Sequence, residues 1–70
     1  QMTEHSQMDR LRDMAKRFQT YFRNPGLAET SFITSARFRG FSHTAVHRVA
    51  ALFWPKGHVA RLAAEGIIEL

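Results

Sequence analysis

Proline and glycine cut this chain into four main pieces, and within each piece the apolar residues recur three and four positions apart. The breaks fall at Asn24-Pro25-Gly26, Gly40, Pro55-Lys56-Gly57 and Gly66. Proline lacks a backbone donor and disfavours helix at the residue before it, while glycine adopts left-handed backbone at little cost. Segments bounded in this way are expected to be short helices that bury one face each, giving an all-α fold.

From Gln7 to Arg23, Met8, Leu11, Ala15, Phe18 and Phe22 stack on one face, with Ser6 as the expected N-cap. Asp9 and Asp13 come early and Lys16, Arg17 and Arg23 late, an order that complements the helix dipole. Residues 27–39 place Leu27, Phe32, Ile33 and Ala36 on one helical face, although the run Thr30–Ser35 is also compatible with an extended segment. Ser42 is the expected N-cap of a helix over His43–Phe53, with Val46, Val49, Ala50 and Phe53 inward. A short fourth helix follows over His58–Glu65, and Ile67–Leu70 forms an apolar tail that reads as a short strand or a docking patch.

The chain has 70 residues and reads as a single small helical domain, 1–70. Gln1 precedes Met2, which reads as the start, and Gln1–Glu4 does not read as a signal peptide. No apolar run approaches the ~20 residues of a membrane span, so no membrane association is expected. With no Cys there is neither a disulfide staple nor a thiolate metal site, which fits a reducing cytoplasm. Six Phe and one Trp are many for so small a core, so part of the aromatic set is expected at a homodimer interface. The cluster Phe32, Phe38, Phe41, Phe53 and Trp54 reads first as core, and the first-helix stripe as packing both on its own domain and on a second chain. The expected interface residues are Leu11, Phe18 and Phe22 on that helix, Trp54 as a projecting alternative beside the helix-ending Pro55, and Ile67 and Ile68 in the tail.

Charge is distributed unevenly. Between Thr30 and Ala64 there is no acidic residue, yet Arg37, Arg39, Arg48, Lys56 and Arg61 all fall inside. Residues 1–29 nearly balance, with five basic and four acidic side chains, and Glu65 and Glu69 follow the basic stretch. A cationic stretch without internal counter-charges points to a polyanionic partner.

The same stretch carries a spacing that resembles a helix-turn-helix. Ala36, Gly40 and Val46 stand where that family has a small residue, a turn glycine four positions later and an apolar residue six beyond, with Val49 as the next buried position. Ser35 and Arg39 occupy places that are usually apolar, and Phe38 is expected to supply that burial from a shifted position. The resemblance spans about residues 32–53 and implies a small DNA-binding regulator of the phage or mobile-element type, acting as a homodimer on double-stranded DNA. It implies base reading by His43, Thr44, His47 and Arg48, with the small Ala51 on the same outward face. Phosphate contacts would come from Arg37, Arg39, Lys56 and Arg61.

A rival reading makes the chain a helical homodimer that binds and inhibits a host regulatory protein, its basic and aromatic surface docking on an acidic one. RNA binding is a third option, although nothing resembles the stacking platforms of the common RNA modules. His43 and His47 are four apart, a spacing able to hold a metal, but Thr44 stands where zinc peptidases carry Glu, and no metal is expected. Ser42 beside His43 is a sequence neighbour in a capping position, not an activated nucleophile. Neither an enzyme, a cofactor nor a small-molecule substrate is expected.

Overall fold

Side-chain caps decide where the helices begin. The computed structural model describes residues 3–70, so Gln1 and Met2, the expected start, lie outside the described residues. Four helices follow one another: α1 (Glu4–Tyr21), α2 (Pro25–Phe38), α3 (His43–Phe53) and α4 (His58–Ala64). No strand occurs among the described residues, and the all-α expectation holds.

The expected N-cap of α1, Ser6, lies inside the helix instead. Thr3 takes the capping place, its extended backbone turning its hydroxyl to accept from the Ser6 N–H at 3.1 Å. At the other end α1 stops at Tyr21, and Asn24 starts α2: its Oδ1 accepts from the Leu27 N–H at 2.9 Å. Pro25 then occupies the first helical position, where its missing donor costs nothing. Residues 30–35 are helical, so the extended alternative is excluded. The earlier start also changes the buried face: Leu27 is exposed, and Ala28 and Glu29 point inward beside Phe32 and Ala36.

Helix α3 has the expected bounds, with the Ser42 hydroxyl accepting from the Ala45 N–H at 3.2 Å. The Ser42 N–H itself donates to Gln7 Oε1 at 3.1 Å, which ties the α2–α3 turn to α1. Gly40 supplies that turn with φ of 87°. Helix α4 ends one residue earlier than expected, and Gly66, at φ of 78°, closes it. The Ile67 N–H then donates to the Leu62 carbonyl at 2.9 Å, so the tail turns back without forming a strand.

The core draws on all four helices. Leu11, Phe32, Val46, Val49 and Val59 are fully enclosed, with Met14, Ala15, Ala28, Ala36, Ala45 and Ala50 filling the gaps. Phe32 links the layers: its ring meets Phe18 of α1 edge-on at 6.1 Å and Trp54, the C-cap of α3, at 5.5 Å. Truncating Phe32 to Ala is worth about 3–5 kcal/mol by this kind of burial.

Two of the expected interface residues are therefore core residues. Leu11 has no exposed surface and Trp54 keeps only 5%, because α1 uses its stripe to cover α2 and α3 within the same chain. Phe18, Phe22 and Ile68 are half-buried against that core, and Ile67 remains exposed. Phe38 supplies no burial, being 92% exposed at the last position of α2. Phe41 is the ring that packs inward after the turn, with the Arg10 guanidinium 5.3 Å from its centre.

Candidate nucleic-acid interface

Helix α3 buries Ala45, Val46, Val49 and Ala50, and the helical period turns His43, Thr44, His47 and Arg48 the other way. His43, Thr44 and Arg48 are exposed, while His47 is half-buried. Ala51, expected outward, packs partly against the core, and the exposed side chain one residue on is Leu52. The outward face is thus polar at its first two turns and apolar at its last.

Arg37 comes to this face from α2. It sits in the last turn of that helix, and the left-handed Gly40 reverses the chain so that α3 starts nearby. His43 and His47, one turn apart, meet edge to face with ring centres 5.2 Å apart. Their surroundings push the His47 imidazole below its ordinary pKa: partial burial is the main cause, followed by repulsion from His43 and then from Arg37. The sequence holds no acid between Thr30 and Ala64. Arg39, the exposed C-cap of α2, and the exposed Phe38 stand beside Arg37 in the chain.

Lys56 and Arg61 are placed elsewhere. They line a groove where the end of α1, the start of α2 and the α3–α4 junction meet, together with Arg23, Phe22, Ile33 and Phe53. Glu29, at the start of α2, is at this end, and Arg37 is eight residues further along the same helix, about 12 Å at 1.5 Å per residue. The four cations expected to bind phosphate therefore form two groups, at opposite ends of α2.

Glu29 organises the second group, and sequence reasoning missed it. Its side chain, 3% exposed, accepts from the His58 N–H at 2.9 Å and the Val59 N–H at 3.3 Å. It thereby caps α4, whose own N-cap, Gly57, has no side chain to do so. Gly57 is required there for space, since a Cβ would lie 2.5 Å from both Glu29 carboxylate oxygens. Local spacing gives no sign of a cap that spans twenty-nine residues. On the first turn of α4, Arg61 Nη2 lies 3.4 Å from His58 Nδ1.

Among the described residues no three His, Asp or Glu side chains come together to hold a metal ion. No described helix is long and apolar enough to cross a membrane. Compared with known protein families, curated proteins and solved structures, the chain matches none of them.

Proposed function

We propose that this protein is a small, sequence-specific DNA-binding transcriptional regulator that acts as a homodimer. In this reading α2, the Gly40 turn and α3 work as a helix-turn-helix, with the outward face of α3 in the major groove. The observation that carries it is the outward face of α3, where the His43 and His47 rings meet beside exposed Thr44 and Arg48, in a stretch of sequence that holds Arg37 and Arg39 and no acid. Arginines without nearby acids in sequence suit a phosphate backbone, which supplies the counter-charge on binding. Arg37 and Arg39 would hold phosphates, while Thr44, Arg48 and the two histidines would face base edges.

Base reading and phosphate holding separate experimentally. Arg48→Ala should keep the helical circular-dichroism signal and binding to random duplex within a few-fold of wild type. Discrimination between a selected site and random duplex should fall by roughly 1–3 kcal/mol, as for loss of one good base contact. Equal loss on both duplexes would remove Arg48 from the reading set.

The second reading, a helical homodimer that inhibits a host regulatory protein, draws on two exposed apolar side chains, Phe38 between Arg37 and Arg39 in the chain and Leu52 in the last turn of α3. It predicts that Phe38→Ala and Leu52→Ala weaken capture of an acidic protein and leave duplex binding unaltered.

A further inference from the structure

The groove that holds Lys56 and Arg61 is built for something other than a phosphate backbone. Its cations, Arg23, Lys56 and Arg61, come from three separate parts of the chain, yet its walls are the half-buried rings of Phe22 and Phe53 and the side chain of Ile33. The one carboxylate at its edge, Glu29, is committed to the His58 and Val59 amides and leaves those cations uncompensated. A ligand that suits it combines apolar side chains with negative charge.

The chain carries such a segment itself. After Gly66, Ile68 packs on the core, which leaves Ile67 64% and Leu70 42% exposed, with Glu65 and Glu69 exposed around them. Among the described residues neither Glu65 nor Glu69 forms an ion pair. We propose that the groove receives residues 65–70 of a second copy, with Glu65 and Glu69 meeting Arg23, Lys56 and Arg61, and Ile67 and Leu70 covering Phe22, Ile33 and Phe53.

The contact is reciprocal. Each copy offers one groove and one segment, so a two-fold axis satisfies both at once and closes the assembly at two chains. Ile68 stays on its own core, so no element has to exchange. Lys56 and Arg61 are then dimer residues rather than phosphate ligands, and the DNA face at the other end of α2 stays open. The inference specifies the interface of the homodimer proposed above. Its test omits DNA, so its failure is distinct from failure of DNA binding.

Sedimentation equilibrium of the full chain at about 50 mM salt reads the outcome, with circular dichroism confirming that each variant stays helical. Wild type should be a dimer at micromolar concentration. Lys56→Glu and Glu69→Lys, both exposed, should each weaken the dimer at least roughly tenfold, because a reversed charge repels at two symmetric contacts. The double variant should recover to within about threefold of wild type, since the swapped charges again attract. Ile67→Ser should weaken the dimer without changing its salt dependence. A wild type that stays monomeric at about 100 μM would overturn the proposal. So would a dimer indifferent to both single reversals, which would place the interface elsewhere, as at the exposed Tyr21 and Leu27.

Discussion

The two ends of α2 handle charge in opposite ways. At its start, Glu29 is enclosed and its carboxylate is fully engaged by two backbone amides of α4, so a negative charge is satisfied inside the fold. Its end carries exposed Arg37 and Arg39, with no acid in the sequence from Thr30 to Ala64. The nearby His47 is held below its ordinary pKa by partial burial first, then by His43 and Arg37. Both ends belong to one helix of fourteen residues. A buried charge whose partners lie within the chain marks a structural joint, whereas a cationic cluster without acids marks a place for a partner.

This contrast is open to direct attack. Its largest effect should come from Glu29→Ala, which leaves the His58 and Val59 donors without an acceptor. A loss of roughly 2–4 kcal/mol of stability is expected, read by urea unfolding. Hydrogen exchange should show α4 opening before α1–α3. If α4 stays as protected as the rest, the joint does not depend on Glu29.

Gly57→Ala should cost less, roughly 1–2 kcal/mol, since the backbone there (φ −84°) suits alanine and only the Glu29 carboxylate is in the way. In the Glu29→Ala background the same substitution should be near neutral, and full additivity of the two would show that the clash is not the cause.

At the opposite end, Arg37→Ala should leave stability unchanged, because the side chain is exposed. Binding to every duplex should weaken alike, and the salt slope should shrink by about one per protomer. The smallest effect concerns pH. His47 has a folded-state pKa below its ordinary value, so the unfolded chain takes up a proton first as pH falls below about 6.5. Stability should therefore be complete above that pH and decline slightly beneath it, and His47→Gln should flatten the profile. NMR titration should show the His47 pKa rising toward its ordinary value in Arg37→Ala. No movement would mean that Arg37 does not act on the ring.

How much of this was legible depended on whether the deciding partner lay nearby in sequence. Helix α3 could be bounded at both ends, because Ser42 caps it locally and Pro55 follows it. The outward placement of His43, Thr44 and Arg48 followed from the same helical period. Asn24-Pro25 marks a helix start as readily as a stop, since asparagine caps and proline suits the first position. Taken only as a stop, it put Leu27 inside and hid Glu29. Thr3 displaced Ser6 for a similar reason: both can cap, and the helix extends to whichever lets it add a turn. Leu11 and Trp54 suit either the core or an interface by residue type, and they fill the core, while Phe38, Tyr21 and Leu52 carry the surplus of large apolar side chains at the surface. The separation of Arg37 and Arg39 from Lys56 and Arg61 is purely tertiary, set by how α4 docks on the start of α2.

The central claim is that the cationic end of α2 and the open face of α3 serve duplex DNA. Fluorescence anisotropy with a labelled random-sequence duplex, between about 50 and 300 mM salt, tests it most directly. Arg37 and Arg39 on each of two protomers predict a log–log slope of about −3.6, and about −5.4 would mean that Arg48 meets a phosphate on each protomer instead of a base edge. No binding at the lowest salt with tens of micromolar protein, or binding indifferent to salt, would contradict the account.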